Sequence, residues 1–444
     1  MLSQAVMTAP TPKLAGKYAA VLFLSSGLAL SSGFYLLFFH YQSVFYLYYL
    51  GVIWAVFLAL FIYFPRLDAS VQPREGYVVW GLILLFGLLL RVMAFSAEPY
   101  LADDYERYLF DGRIQWAGFN PYTVVPQDLK AWGGDLIPKA EVKTIYPPLA
   151  EVLFKLSAWF GNSLLSWKLF SLIPDLLGAL VFARLLMLYG RSPLWVTFWL
   201  WNPLILKEIS HAGHLDIWTL FAVLLFFYAV LKQRLRLAGF FLALAVLIKL
   251  IPLLIFPLWL LQLVGDRIPK KRLIEIVSVF VITLLLGFLA YFPEHPFLNI
   301  AFFYQHIQGY GALYQLGTSV LSEESVKRLL ISVAGGLLLF LVIIKGRYQK
   351  QDVLALSEVF LLLFIFSSMG FPWYLLLCLP WIIIKKDWLI MALVALTQLN
   401  FYAYQLEQPA WQLVAILLLL VIYWLVTNFR EVKYESKHYV EIRV

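Results

Sequence analysis

Acidic and basic side chains cluster between Asp103 and Arg113, and this cluster could supply both a base and a cation. Within it, Asp104, Arg107 and Asp111 follow one another at spacings of three and four residues. The spacing predicts a helix that lies on the membrane with its charges turned away from the lipid. A carboxylate at its start is stabilised as the anion by the helix N-terminus. An N-cap followed by a surface ion-pair ladder explains the same residues, so both interpretations stay open here.

A lysine, Lys249, interrupts the apolar run that extends from Ala243 to Pro252. A charge inside an apolar segment is costly and usually functional. Pro252 and Pro257 should break the helix near this lysine and free backbone groups that suit the lining of a cavity. An anionic lipid headgroup or a phosphate is the natural partner of such an ammonium. The alternative is a lysine that extends to the outer headgroups without a functional role.

Two histidines, His211 and His214, are three residues apart, which predicts that they share a helix face, and Asp216 follows them. A metal site is the less favoured interpretation, because no HExxH pattern occurs and Asp216 stands only two residues from His214. Contact with a phosphate or a sugar is favoured. We therefore predict no set of metal ligands and no certain cofactor, with a divalent cation left open.

Aromatic residues accompany turn-forming residues at three places, which are Gly118–Tyr122, Thr144–Leu149 and Ser367–Tyr374. The first two predict structural turns that close a loop. The third predicts a break in a helix, whose aromatic rings either stack on a sugar or belong to the interfacial belt, and the belt is favoured. Arg91 and Asp175 are further charges within apolar segments, and the sequence does not identify their partners.

These residues must be positioned by membrane-spanning helices, because the composition excludes a water-soluble protein. Of 444 residues, 62% are hydrophobic and only 14% are charged, with a mean hydropathy of +0.82. Disordered, collagen-like and nucleic-acid-binding proteins are excluded as well. The net charge of +8 agrees with positively charged cytoplasmic loops. A single cysteine, Cys378, excludes an internal disulfide framework and a cysteine-based zinc site.

Apolar runs predict an all-α polytopic membrane protein with about 12–14 transmembrane helices, folded as one membrane-embedded domain over residues 1–444. The runs lie near 18–39, 44–64, 77–95, 168–183, 193–206, 217–231, 237–249, 251–264, 273–291, 328–344, 353–368, 373–384, 388–403 and 410–427. Residues 147–160 would form a helix only about 21 Å long, against a bilayer core of about 30 Å. We expect that helix to lie on the outer interface.

Lysine and arginine predict the orientation, because they are enriched in cytoplasmic loops. Most of the 34 basic residues fall on one side if the N-terminus is cytoplasmic, including the clusters at 232–236 and 265–272. The long segments 96–160 and 292–327 then form two outer loops. These are the places with room for chemistry outside the membrane.

Five strings occur in the same order as in a bacterial family of polyprenol-phosphate-mannose-type mannosyltransferases, which the chain resembles over about residues 95–400. They are Asp104–Tyr122, Thr144–Leu149, His214–Asp216, Lys249–Pro252 and Phe371–Tyr374. The chain also resembles the catalytic subunit that adds the first mannose in glycolipid-anchor synthesis. Two additional spans precede the first outer loop, and Glu106 stands where an aromatic residue is common. These differences bear on the substrate more than on the fold.

The resemblance implies the GT-C glycosyltransferase fold, with residues 96–160 as an outer catalytic loop that carries interfacial helices. Asp104 matches the second carboxylate of the acidic motif of the family, and Asp103 precedes it. In an inverting transfer, Asp104 would be the base for the acceptor hydroxyl. Lys249 is the first candidate to stabilise the departing phosphate, followed by His214 and Arg107. Asp216, Tyr146 and His211 complete the predicted donor-binding set.

The expected partners are a polyprenyl-phosphate sugar donor, a lipid or glycan acceptor and the lipid bilayer, and no nucleic acid. Mannose is the usual sugar of the family. The expected location is the bacterial inner membrane, with the active site facing the periplasm or the exterior. The alternative is a polytopic transporter or lipid flippase, which also uses broken helices and intramembrane charges. The absence of an inverted repeat and the charged outer loop favour the transferase.

Overall fold

The structure, a computed structural model, describes residues 12–39, 45–70, 73–100, 102–291, 299, 312–348, 364, 367 and 370–405. All regular elements in these ranges are helical, as the sequence predicts. The predicted spans near 353–368 and 410–427 lie almost wholly outside the described residues. The same is true of much of the predicted outer loop 292–327.

Three long helices open the described chain: α1 (Pro12–Phe39), α2 (Tyr46–Ser70) and α3 (Pro73–Ser96). α1 packs against both α2 and α3. Each helix is apolar for longer than the roughly 20 residues that a bilayer requires. α3 ends at Ser96, shortly before the acidic pair that leads into the next helix.

Two short helices follow, α4 (Asp104–Trp116) and α5 (Pro148–Trp159), and they pack against each other. Their contact depends on Gly112, because a Cβ atom at this position would lie 2.4 Å from the carbonyl oxygen of Phe154. The predicted helix that starts at the acidic pair is confirmed. α5 has 12 residues, about 18 Å, and is too short to span a bilayer, as predicted. Its place on the outer interface stays a prediction.

The segment after α6 (Leu164–Leu188) is interrupted, and here the predicted span near 193–206 is wrong. A 3₁₀ turn at Pro193–Val196 leads into α7 (Thr197–Leu200), and a π-helical segment then runs from Ile205 to His211. Pro203 lacks an N–H, and the side chain of Asn202 donates to the Phe198 carbonyl and accepts from the Leu204 N–H. These local bonds replace the bonds of a continuous helix.

The remaining described helices complete the bundle. They are α8 (Asp216–Leu231), α9 (Leu235–Ile248), α10 (Ile255–Gly265), α11 (Lys270–Leu289), α12 (Ala312–Thr318), α13 (Glu323–Tyr348), α14 (Leu379–Lys385) and α15 (Trp388–Gln405). α8 packs against α6 and α9, and α15 packs against α2. One extensive apolar core joins these helices apart from α12 and α13, whose buried residues Tyr314, Val326 and Leu330 form a small separate cluster.

Among the described residues, five helices are long and apolar enough to cross a membrane. A sixth span is obtained if the π-helical segment and α8, which meet at a bend of 118°, cross together. Shorter apolar helices, including α9 and α10, lie beside them. The chain is therefore a multi-pass membrane protein, and the predicted total of spans stays a prediction.

Arg91 and Asp175, whose partners the sequence did not identify, pair with each other inside the bundle. Arg91 Nε lies 2.7 Å from Asp175 Oδ2, and Trp199 Nε1 donates to Asp175 Oδ1 at 2.9 Å. Arg91 also donates to the carbonyl of Leu200. This buried ion pair links α3, α6 and α7.

Candidate functional site

Two buried lysines fix the chain that leads from α3 into α4. Lys168 Nζ donates to the carbonyls of Ala94 and Ala97 at 3.2 and 3.1 Å, and Lys207 Nζ donates to the carbonyl of Tyr100 at 3.2 Å. The carbonyl of Ala94 is in the last turn of α3, where it has no partner within the helix, and those of Ala97 and Tyr100 follow the end of the helix. The ammonium groups satisfy all three carbonyls. The sequence analysis assigned no role to either lysine, although each is a charge inside an apolar segment, which is the signal that singled out Lys249.

Asp104 is the first residue of α4, and Asp103 precedes it without a side-chain capping hydrogen bond. The Asp104 side chain is 43% exposed, and its Oδ2 lies 3.8 Å from His214 Nε2. Burial of the carboxyl group by surrounding protein raises the pKa of Asp104 to about 6; the charge of Asp103 acts in the same direction and that of Lys249 opposes it. A carboxylate with a raised pKa is a stronger base than an ordinary aspartate.

His214 follows the π-helical segment and faces Asp104 because the chain turns sharply at Gly213, where φ is +78°. Its Nδ1 donates to the carbonyl oxygen of Glu208 at 2.9 Å. This bond assigns the hydrogen to Nδ1 and leaves Nε2 on the side of Asp104. The imidazole ring stacks on Trp373 with the ring centroids 3.9 Å apart.

Lys249 lies where the apolar run is broken, as predicted, and the structure supplies its partner. α9 ends at Ile248, and Lys249 has an extended backbone. Its Nζ lies 2.6 Å from Asp216 Oδ1 and 4.3 Å from the centroid of the Tyr374 ring. The Lys249 side chain is 21% exposed. The ammonium is therefore held by a carboxylate and an aromatic ring while part of it stays accessible.

Four of the five sequence strings therefore meet around Asp104, His214 and Lys249. Both Lys249 and Asp216 lie near enough to Asp104 for their charges to act on its carboxyl group. Tyr146, from the remaining string, lies within electrostatic range of Asp104 as well, and its ring contacts that of Tyr108 at 5.3 Å. A partly exposed base beside a partly exposed cation suits proton removal and anion binding at one place.

Arg107, one of the predicted donor-binding residues, is held by other partners. Arg107 Nε lies 2.8 Å from Asp111 Oδ2, and another Arg107 nitrogen donates to the carbonyl of Val142 at 2.7 Å. Asp111 is fully buried, so the expectation that it projects with the other charges of the helix is wrong. The bond from Arg107 to the Val142 carbonyl instead ties α4 to the loop that follows it.

His211 stacks on Phe38 of α1, with the ring centroids 4.5 Å apart. The expectation that it shares a helix face with His214 is wrong, because the helical segment ends at His211 and Gly213 turns the chain. His211 therefore packs toward α1, whereas His214 faces Asp104.

Two buried glutamates near the site were not singled out from the sequence. Glu208 Oε1 accepts hydrogen bonds from Gln398 and Tyr402 at 2.9 and 2.7 Å. Glu151 accepts from the hydroxyl of Thr144 at 2.6 Å, and burial, followed by the charge of Asp111, raises its pKa well above its usual range. An acidic residue within an apolar helix is the signal that could have found both.

A metal site is not assembled by the part of the chain that the structure describes. No group of three or more His, Cys, Asp or Glu side chains in these ranges could hold a metal ion. The ammonium of Lys249 is a cation that the site can offer to an anionic substrate.

Residues 144–380 match the family model described as glycosyltransferase family 87, and this segment is slightly more than half of the chain. It contains His214, Asp216, Lys249 and Trp373, whereas Asp104 precedes it. No curated protein matches the chain.

Proposed function

Because the chain belongs to glycosyltransferase family 87 and is a GT-C-type membrane glycosyltransferase, we propose that it transfers mannose from a polyprenyl-phosphate donor to a hydroxyl group of a lipid or glycan acceptor. The proposed location is the bacterial inner membrane, with the site on the non-cytoplasmic face. Membership of this family favours transfer over the transporter or flippase alternative.

The observation that carries the proposal is the juxtaposition of Asp104, His214 and Lys249. A displacement at the anomeric carbon needs a base on the acceptor side and a cation on the leaving-group side. The accessible carboxylate and the ammonium supply these two groups within one site. Glu151, Asp111 and Arg107 are occupied with one another and with neighbouring backbone and side chains, so they are weaker candidates.

In the proposed reaction, the acceptor hydroxyl attacks the anomeric carbon from the face opposite the phosphate. The new C–O bond forms while the bond between the anomeric carbon and the phosphate oxygen breaks, and the electron pair leaves with the phosphate. The proton of the hydroxyl passes to Asp104. General-base assistance of this kind typically contributes about 10²–10⁴-fold to the rate.

Lys249 would stabilise the charge that develops on the departing polyprenyl phosphate. Its ammonium is held by Asp216, which would position the charge for the donor phosphate. A lysine ammonium has three N–H donors, and it can therefore keep the bond to Asp216 while it binds a phosphate oxygen. His214 Nε2, which lies 3.8 Å from Asp104 Oδ2, would contact the sugar or the phosphate.

The test is an assay of the purified protein with a panel of polyprenyl-phosphate sugars that carry mannose, glucose or arabinose, in which release of polyprenyl phosphate is measured. We expect acceptor-dependent release from the mannose donor and loss of release in the Asp104→Asn variant. Release from another sugar alone would overturn the assignment of mannose. The absence of release from every donor, with each donor shown to bind, would overturn the proposed reaction.

A further inference from the structure

A groove of about 370 Å³ lies between the C-terminal ends of α4 and α5, away from the first residues of α4 where Asp104 stands. Three indole rings line it, those of Trp116, Trp132 and Trp159, together with Arg113 and Asn162. The proposed reaction assigns no role to these residues. They come from three separate segments of the chain, so the fold assembles the groove.

The aromatic rings of the groove are accessible to a ligand. Trp159 is 69% exposed, Trp116 54% and Trp132 36%. The Nε1 of Trp116 donates to the carbonyl of Lys155, which fixes the orientation of this ring. Large aromatic side chains that remain exposed around a concavity commonly mark a binding site.

Arg113 supplies a polar group that is prepared for a ligand. One of its terminal nitrogens donates to the carbonyl of Trp132 and holds the guanidinium in place. Its Nε–H is buried and has no hydrogen-bond acceptor among the described residues. Arg113 as a whole is partly exposed, so the accessible part of its guanidinium can donate to a ligand in the groove. The carboxamide of Asn162 is exposed nearby.

We propose that this groove binds a carbohydrate, as a subsite for the glycan part of the acceptor. A pyranose ring has an apolar C–H face that packs on an indole ring, and its hydroxyl groups accept from guanidinium and amide donors. Tryptophan residues of an interfacial belt would account for the exposed rings. A belt does not require rings from three segments to form one concave groove around an arginine and an amide.

The distance along α4 indicates the size of the acceptor. Asp104 is the first residue of this helix, and Arg113 and Trp116 lie nine and twelve residues further on, about 14–18 Å away at 1.5 Å per residue. This rise is a minimum separation, so a ligand that reaches from the base around α4 to the groove would consist of several sugar units. This role as an acceptor subsite rests on the proposed transferase function, whereas carbohydrate binding itself does not.

The test is calorimetric titration of the full-length protein in detergent with linear α-linked mannohexaose. Asp104→Asn serves as the parent, so that binding is measured without turnover. We expect Trp159→Ala to raise the Kd about tenfold, the effect of losing roughly 1.4 kcal/mol from one aromatic contact. Trp388→Ala is the matched control, because Trp388 is 51% exposed and lies outside the groove. This control should bind like the parent.

Two further variants keep the test decisive if Trp159→Ala does not fold. Trp159→Phe retains a ring and should recover part of the affinity, and Asn162→Ala removes only the exposed amide and should weaken binding. Equal affinity in all variants, or no binding of the hexaose by the parent, would overturn the proposal and leave the indoles as an interfacial belt. Because no transfer is measured, this outcome is independent of the release of polyprenyl phosphate in the assay above.

Discussion

Asp103 and Asp104 are adjacent in sequence, but their surroundings assign them different roles. Asp104 faces His214 and lies within electrostatic range of Lys249 and Asp216. Asp103 occupies the position before the helix and is exposed. The charge of Asp103 raises the pKa of Asp104, so Asp103 influences the proposed base through its charge.

We therefore expect Asp104→Asn to lower kcat by about 10²–10⁴-fold, because the amide cannot accept the proton of the acceptor hydroxyl. Asp103→Asn should cost much less and serves as the matched control. The measurement is release of polyprenyl phosphate at saturating donor, with thermal unfolding recorded for both variants. Near-normal turnover by a folded Asp104→Asn protein would exclude Asp104 as the base and direct attention to Asp103 or Asp216.

The raised pKa of Asp104 predicts a pH dependence for the reaction. The base must be ionised to accept a proton, and its pKa is about 6. As the pH falls through this value, the carboxyl group becomes protonated, so kcat/KM should fall about tenfold per pH unit below it and level off above it. Asp103→Asn removes a charge that raises this pKa, and the acid limb of the profile should therefore move to lower pH. An unchanged limb in this variant would argue that another group titrates.

Lys249 should contribute mainly to the use of the lipid donor. Lys249→Met keeps the aliphatic chain and removes the charge, and a charge-assisted hydrogen bond is worth about 1.5–3 kcal/mol. We expect kcat/KM for the donor to fall by roughly 10- to 100-fold or more, with partial recovery in Lys249→Arg. Donor-dependent kinetics on both variants provide the measurement.

The Lys249→Met experiment requires a control, because this change leaves the buried carboxylate of Asp216 without its partner in the ion pair. In the double variant Lys249→Met/Asp216→Asn no charge is stranded, so stability should recover while donor kinetics stay impaired. Recovery of both stability and kinetics would show that Lys249 acts only as the partner of Asp216.

At the scale of helices, breaks place the functional side chains. Lys249 follows the last residue of α9, and His214 follows a π-helical segment that ends at His211. Asp104 begins α4 after a stretch whose carbonyls are held by Lys168 and Lys207. Side chains at such ends can project into a common space, whereas those in continuous spans face lipid or neighbouring helices.

The sequence predicted the break near Pro252, but the break expected at Pro257 is wrong, because Pro257 lies in the first turn of α10, where a proline is tolerated. The sequence did not predict the breaks that depend on distant contacts. Pro252 marks the break after Lys249. The π-helical segment leaves no comparable signal, so His211 and His214 were wrongly assigned to one face. The role of Glu208 depends on Gln398 and Tyr402, about 190 residues further along the chain. Such a contact is set by packing of α15 and cannot be obtained from local pattern.

The ion pair between Arg91 and Asp175 should stabilise the bundle without taking part in the reaction. Arg91 is 1% exposed and its donors are satisfied by Asp175 and backbone carbonyls. Breaking a buried pair typically costs about 3–5 kcal/mol, because one charge is left without a partner. We expect Arg91→Met to lower the free energy of unfolding by about that amount, measured by transfer from mild detergent into dodecyl sulfate.

An exposed ion pair in the same chain gives the comparison for Arg91. Arg328 pairs with Glu324 on α13, and both side chains are about three-quarters exposed. Arg328→Met should therefore cost about 0–1 kcal/mol. Arg91→Met/Asp175→Asn should recover much of the loss, since no charge is stranded. Similar losses in Arg91→Met and Arg328→Met would contradict a stabilising role for the buried pair.

At the scale of the whole molecule, the candidate site joins residues separated by up to 270 positions in sequence, from Asp104 to Tyr374. Local patterns singled out most of its members because each is a polar or aromatic group in an apolar setting. Their convergence follows from the packing of the bundle. The orientation of that bundle in the membrane decides whether the site can meet a donor on the non-cytoplasmic face.

The distribution of lysine and arginine predicts that orientation, and accessible single cysteines can test it. In a Cys378→Ser background, which removes a buried thiol, Leu136→Cys would report on the loop after α4 and Lys271→Cys on the basic first turn of α11. Leu136 is 80% exposed, and its loop is tied to α4 by the bonds of Arg107 to Val142 and of Arg113 to Trp132. It therefore reports on the side on which Asp104 lies.

We expect a membrane-impermeant maleimide to label Leu136→Cys in intact cells or right-side-out vesicles and to label Lys271→Cys only after permeabilisation, because basic segments are retained on the cytoplasmic side. The Cys378→Ser parent should not be labelled in either state. The reverse pattern would place Asp104 and Lys249 on the cytoplasmic side. A lipid donor presented on the outer leaflet could not reach them there, so the proposed reaction would have to be abandoned even if the fold were correct.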